Sequence, residues 1–295
     1  MASYETARNL SVEVGGINFA YRKVGPAHGI VSSAIPLVLL MHFRGTMDHW
    51  DPALVNPLAA NRPVILVDNA GVGRSGGEVP KTFAGWAEHY INFIKALDLQ
   101  QVDVLGFSMG GCVAQLVALN SPLGLVRRLI LCGTTPSTGP GTVTAPLDAF
   151  NQLKGAVTQQ EQRDAFLKTF FTQTPHSQAA GVAAWDRIIQ ARTHRVDYVA
   201  PDAAHRQAIA FAKFMDPKQA DAASYNRFSQ LNLPVLIANG SDDLLLPTEN
   251  SILMWRMLSH AKAQLHLYPD SGHGFFYQYA SHFAQLANEF LDGAF

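Results

Sequence analysis

The sequence predicts an α/β fold in which a mostly parallel, doubly wound sheet carries an inserted block of helices. Three observations predict it. Short continuous apolar runs recur along the chain, an amphipathic helical stretch lies between two of them, and one long segment in the second half breaks the alternation.

The elements follow in order. Residues 11–14 and 17–21 alternate with a period of two around Gly15-Gly16, the pattern of an antiparallel hairpin. Residues 37–41, 64–67, 102–107, 129–132 and 235–238 then form runs without alternation. A strand that is apolar on both sides is covered on both sides, as in a parallel sheet. Between the second and third runs, Phe83, Trp86, Ala87, Tyr90, Ile91, Ile94 and Leu97 recur at helical spacing. Thr82 precedes them and can cap the helix by accepting a backbone N–H. Strand, helix and strand in this order imply right-handed crossovers, and such sheets bind ligands at the carboxyl ends of their strands. Chemistry is therefore to be sought just after each strand.

From Thr134 the rhythm changes. Residues 134–146 are rich in Gly, Pro and Thr, and helical patterns continue to about Phe228 before strand-like sequence resumes at Pro234. This reads as a helical cap of residues 136–228 inserted into a core of residues 1–135 and 229–295.

Composition narrows the partners. Of the 295 residues, 48% are hydrophobic and 15% charged, enough apolar surface to collapse into a packed fold. The formal net charge is -1 with Lys and Arg scattered, so no basic stripe for nucleic acid exists. The longest strongly apolar run, residues 35–41, falls far short of the roughly 20 residues that span a bilayer, so no membrane partner is expected. The first six residues lack the basic flank and apolar stretch of a secretory signal, and a cytoplasmic location is expected. The two cysteines, Cys112 and Cys132, fall in helix and strand patterns without zinc-site spacing and read as small core residues. No metal or organic cofactor is called for. A homodimer is compatible with the sequence but not specified by it.

The strongest chemical signal is Gly106-Phe107-Ser108-Met109-Gly110, a G-x-S-x-G segment placed between an apolar strand and a helix-like stretch. A serine at the tip of a sharp strand-to-helix turn needs flanking residues without side chains, because backbones crowd there. The turn exposes the hydroxyl, and the Met109 N–H at the helix start can face a developing anion. Among eleven histidines, His273 stands apart, since Gly272-His273-Gly274 follows the strand candidate 265–268 and so reaches a strand's carboxyl end. The strand candidate 234–238 leads likewise into Gly240-Ser241-Asp242-Asp243, which offers two carboxylates to orient that histidine.

Strand, G-x-S-x-G, helix, then Gly-x-x-Asp-x-x-x-Pro, then Gly-His, in the order Ser, Asp, His, resembles the α/β-hydrolase superfamily over almost the whole chain outside the cap. The resemblance implies the α/β-hydrolase fold and a triad of Ser108, Asp243 and His273, with Asp243 preferred over Asp242. It implies an oxyanion hole built from the N–H groups of Met109 and of Phe43, in His42-Phe43-Arg44-Gly45, where Phe43 replaces the family's usual glycine. His42 is then a structural hydrogen-bonding residue, and residues 68–75 resemble the family's Asp-x-x-Gly-x-Gly-x-Ser turn. The motif set is similar to that of small-ester hydrolases, enol-lactonases and cofactor-free haloperoxidase-like esterases. A small to medium apolar ester or lactone is the implied substrate, cleaved through an acyl-enzyme.

Other readings stay open at this point. Serine at the nucleophile position argues against epoxide hydrolases and haloalkane dehalogenases, which use aspartate. Members of this fold with the same triad also act as C–C hydrolases, lyases or cofactor-free oxygenases, and some are ligand receptors. Of the aromatic residues in the helical segment, Phe150, Phe166, Phe170, Phe171, Trp185, Phe211 and Phe214, most are expected in packing and a few in a pocket over the serine.

Overall fold

The computed structural model describes residues 1–26 and 34–294. Eight strands are present among them: β1 (Leu10–Val14), β2 (Ile17–Val24), β3 (Leu37–Leu40), β4 (Val64–Val67), β5 (Val102–Phe107), β6 (Val126–Cys132), β7 (Val235–Gly240) and β8 (Ala263–Tyr268). They form one sheet in the order β1-β2-β4-β3-β5-β6-β7-β8. The β1–β2 and β2–β4 pairs are antiparallel and the remaining five are parallel. The hairpin and the buried parallel strands both occur where the patterns place them.

Among the described residues ten α-helices accompany the sheet: α1 (Pro52–Leu58), α2 (Phe83–Ala96), α3 (Met109–Asn120), α4 (Leu147–Gly155), α5 (Gln159–Phe170), α6 (Pro175–Gln190), α7 (Pro201–Phe214), α8 (Thr248–Met257), α9 (Phe275–Gln278) and α10 (Ala280–Asp292). Successive strand residues point to opposite faces, so Val38 and Leu40 join one core with α2, α3 and α8, while Leu37 and Leu39 join another with α1, α9 and α10. Each fully buried aliphatic side chain of this kind contributes about 1.5–3 kcal/mol. Thr82 caps α2, its side chain accepting from the Gly85 N–H at 3.2 Å.

Strand β6 begins earlier than its apolar run because two arginines stand inside it. Arg127 makes a two-point contact with the buried Asp103 of β5, at 3.0 and 2.6 Å. Arg128 donates to the carbonyls of Phe290 and Leu291 at the end of α10, at 2.8 and 2.6 Å. Charge conceals this half of the strand from a reading based on apolar runs.

Helices α4 to α7 lie between β6 and β7 and are followed by two 3-10 turns, Pro217–Gln219 and Tyr225–Gln230. Thr158 and Glu161 form a capping box at the start of α5, and Thr174 caps α6 ahead of Pro175. An ionic junction ties the loop between α6 and α7 to the rest of the molecule. The fully buried Asp48 is ion-paired with Arg22 and Arg74, each at 2.5 Å, and accepts from the Val196 N–H at 2.8 Å. Burial opposes the charge on Asp48, but Arg22, the Val196 N–H and Arg74 together hold its carboxyl below the usual range. Nearby, Arg192 donates to the carbonyls of Tyr4, Glu5 and Ala7 at 2.6, 2.8 and 2.9 Å. Among the described residues no helix is long and apolar enough to cross a membrane.

Candidate active site

The site grows from the turn between β5 and α3. Ser108 lies at φ 58° and ψ -122°, a conformation that side chains rarely adopt, and only 8% of its surface is exposed. Its backbone is held on both sides: its N–H donates to Cys132 O at 2.9 Å, and its carbonyl accepts from the Gly111 N–H at 2.9 Å and from Thr134 Oγ1 at 2.8 Å. The glycines are a steric necessity. A Cβ on Gly106 would stand 2.4 Å from Gly110 O, and one on Gly110 would stand 2.2 Å from Leu40 O.

The loop after β8 carries His273, which is fully buried between Phe107 and Phe170, with ring centroids at 4.8 and 4.9 Å. Its Nδ1 lies 2.7 Å from Asp243 Oδ2. The other carboxylate oxygen, Oδ1, accepts from the N–H groups of Leu245 and Leu246 at 2.8 and 2.9 Å, which fixes the plane of the carboxylate. Asp242 is exposed and accepts from its neighbour Ser241 instead. The structure thus brings Asp243, and not Asp242, to the histidine. His273 Nε2 is buried without a hydrogen-bond partner, and it is not hydrogen-bonded to Ser108 although both residues line one cavity.

That cavity has a volume of about 450 Å³ and is mostly apolar. Among the described residues no Lys, Arg, Asp or Glu lines it; its polar lining comes from Ser108, the two histidines His42 and His273, three threonines and Asn250. Phe43 and Met109 line it too, and neither N–H is used in a hydrogen bond among the described residues. The Phe43 ring lies 4.8 Å from that of Phe150, so the side chain in place of the usual glycine narrows the cavity on the α4 side. Of the aromatic residues in the helical segment, Phe150, Phe170 and Phe211 reach the cavity. Phe166, Phe171, Trp185 and Phe214 do not line it and pack in the hydrophobic cores instead.

The surrounding loops are built as supports. His42 Nδ1 lies 2.7 Å from Phe43 O, and burial pushes its pKa down to about 3, so the ring is neutral and fills space between Phe107 and Phe170. Asp68 accepts from the N–H groups of Met47 and Arg74 at 2.7 and 2.9 Å, while Ser75 Oγ donates to Asp68 O at 2.6 Å. A Cβ on Gly73 would stand 2.2 Å from the Asp68 carboxylate, so that glycine serves the turn. Burial raises the Cys112 thiol to about 11 and pushes Cys132 well above its ordinary value, which keeps both protonated and unreactive at neutral pH. Among the described residues no three His, Cys, Asp or Glu side chains are grouped as a metal site requires.

Buried neutral histidines have a consequence for stability. The folded-state pKa of His42 lies below its unfolded value of 6.5, so its contribution is complete above pH 6.5 and is lost as the pH falls. Between pH 7.5 and pH 5 the expected loss from such a histidine is about 2 kcal/mol. His49, also pushed well down by burial and by Arg195, acts in the same sense. Urea titrations at the two pH values check this: unchanged stability would mean that these rings charge freely in the folded state.

Comparison with known proteins places the architecture. Residues 28–289 match the model of the Alpha/beta hydrolase family. An alpha/beta hydrolase fold protein from Chitinophaga pinensis is 32% identical and superposes with a TM-score of 0.86, covering 99% of both chains. The 2-hydroxymuconate semialdehyde hydrolase of Pseudomonas putida is 29% identical over 86% of each chain. The enol-lactonase from Burkholderia xenovorans LB400 superposes with a TM-score of 0.72 at 20% identity, over 96% of this chain and 100% of that one, a likeness of fold alone. With its sheet order, its serine turn and a family match spanning most of its length, the chain belongs to the alpha/beta hydrolase family.

Proposed function

We propose that the protein is a serine hydrolase that cleaves an uncharged, apolar carboxylic ester or lactone through an acyl-enzyme, with residues 136–228 serving as a cap over the site. Ser108 Oγ attacks the carbonyl carbon while His273 Nε2 takes the hydroxyl proton, and Asp243 holds the imidazole by its Nδ1–H. The N–H groups of Phe43 and Met109 receive the oxyanion. Collapse of the tetrahedral intermediate breaks the C–O bond, and His273 returns the proton to the departing alcohol. Water then repeats the sequence on the acyl-enzyme, releasing the acid and restoring Ser108. Closing this cycle requires Ser108 and His273 to come within hydrogen-bonding reach, a small adjustment of the kind that catalytic pairs make once substrate is bound.

The observation that carries the reading is the absence of any ionised side chain from the cavity lining, next to a serine and a carboxylate-paired histidine. A carboxylate buried there would lose its hydration without gaining a cationic partner, at a cost of several kcal/mol. The hydrolysis of p-nitrophenyl butyrate and of p-nitrophenyl hemisuccinate, equal in chain length but different in charge, provides the test. The neutral ester is expected to have a kcat/KM at least about 100-fold higher, the factor that some 3 kcal/mol supports. Equal values, or preference for the anion, would overturn the uncharged substrate class.

A second reading, C–C bond hydrolysis, draws on the relative from Pseudomonas putida, whose named substrate, 2-hydroxymuconate semialdehyde, is a carboxylate. The same charge-free lining speaks against it. Faster consumption of that semialdehyde than of either ester would reverse the ranking.

A further inference from the structure

Arg44 follows Phe43 in the turn His42-Phe43-Arg44-Gly45, which closes with the Gly45 N–H donating to His42 O at 3.1 Å. The turn requires a positive φ at its third residue, where glycine is the usual choice, yet an arginine takes φ 63°. That conformation costs a residue with a side chain about 1 kcal/mol or more. A charged residue held there at 7% exposure needs a compensating role.

The Nη1 group, the backbone N–H and the carbonyl of Arg44 all grip the helical insertion. Its Nη1 donates to the carbonyls of Leu153, Lys154 and Ala156, at 2.6, 3.4 and 2.7 Å, at the end of α4. Those carbonyls have no partners within the helix, and a cation suits that end of the helix dipole. The Arg44 N–H donates to Gln207 Oε1 on α7 at 2.8 Å, and its carbonyl accepts from the Val199 N–H at 3.0 Å.

Helix α4 depends on such holds, since none of its nine residues is buried. It nevertheless roofs the cavity with Leu147, Phe150 and Leu153. A second clasp secures the segment leading into it: the buried Asn250 of α8 pairs with both the N–H and the carbonyl of Val143, each at 2.8 Å. One clasp makes no hydrogen bond to the His42–Gly45 turn, while the other belongs to the turn that carries the Phe43 N–H.

We propose that Arg44 is a positioning residue that couples closure of α4 over the cavity to the setting of the Phe43 N–H as an oxyanion donor. The coupling rests on the ester-hydrolase reading above. With α4 seated, the guanidinium holds the turn in its costly conformation; with α4 lifted, the turn loses the contact that opposes its relaxation. Asn250 restrains the segment that leads into this helix and makes no hydrogen bond to the turn.

Hydrogen exchange read by mass spectrometry on the full chain, together with ester kinetics, separates the two clasps. Asn250→Ala is expected to speed exchange in residues 143–155 alone. Arg44→Ala is expected to speed it there and also in residues 41–46. For p-nitrophenyl butyrate, Arg44→Ala should lower kcat about 10- to 100-fold, less than outright loss of an oxyanion donor, with KM changing under about threefold. Affinity for an alkyl trifluoromethyl ketone, which forms a tetrahedral adduct on a serine, should fall by the same factor as kcat, and Arg44→Lys should recover part of both. Unaltered exchange in residues 41–46, or an unchanged kcat in Arg44→Ala, overturns the coupling. Should Arg44→Ala fail to fold, Arg44→Gln carries the same comparison. Should the wild type react with neither ester nor fluorophosphonate, the hydrolase reading fails, and the exchange data still decide whether Arg44 links the turn to α4.

Discussion

A Ser108→Gly variant is expected to lose ester turnover and to become more stable than Ser108→Ala. The loss follows from removing the only hydroxyl that lines the cavity within the serine turn, and should be on the order of 10⁴-fold or more in kcat. The stability difference follows from the backbone. At φ 58° and ψ -122°, Ser108 occupies a region that glycine enters freely and alanine does not. Strain of this kind costs of the order of 1–3 kcal/mol, and the greater freedom of an unfolded glycine offsets part of it. A net advantage of about 1 kcal/mol over alanine is expected, read as a shift in urea midpoint. Retained turnover in either variant would place the nucleophile elsewhere, whereas equal stability of the two would mean that the turn is not strained.

The second large effect is expected at Asp243. Its Oδ2 lies 2.7 Å from His273 Nδ1 in a contact where both side chains are at most 1% exposed. An asparagine can present its amide nitrogen to Nδ1, which favours the tautomer with its proton on Nε2 and leaves nothing there to accept the serine proton. Asp243→Asn should lower kcat/KM by about 10³- to 10⁴-fold, with slower labelling by a fluorophosphonate. Asp242→Asn should stay within about twofold, because that carboxylate is exposed and engaged with Ser241. The reverse ranking would transfer the acid role to Asp242.

Much of this arrangement could be read from the residues themselves, for identifiable reasons. Strands β3, β4, β5 and β7 show as apolar runs because both of their faces are covered. The serine turn shows because crowding permits only glycine at residues 106 and 110. The resemblance selects Asp243 over Asp242, and the structure shows the geometric difference between them: two backbone N–H groups steer the Asp243 carboxylate, and among the described residues none does the same for Asp242. Other features were not legible because they depend on residues distant in sequence. The partners of Asp48 are Arg22, Arg74 and the backbone at Val196, and no local pattern announces that they meet. In sequence Arg44 is one residue of the loop His42-Phe43-Arg44-Gly45, and only its contacts with residues 153–156 reveal a hold on α4. Three of the seven aromatic residues singled out reach the cavity, a division that helical spacing cannot make when a helix packs on two sides.

The place of the insertion also governs how the chain can be assembled. Strand β6 pairs with β7, yet all four helices α4 to α7 lie between them in sequence. During synthesis, β6 is complete while its outer neighbour has not yet been made, and the growing sheet presents a bare hydrogen-bonding edge to its surroundings. Arg127 and Arg128, which break the apolar run at the start of β6, stand immediately before residues 129–132 that await β7, at one end of that edge. Charges there discourage a strand from another chain from docking, so the residues that hid half of β6 from the hydropathy pattern can also protect the nascent protein until β7 arrives.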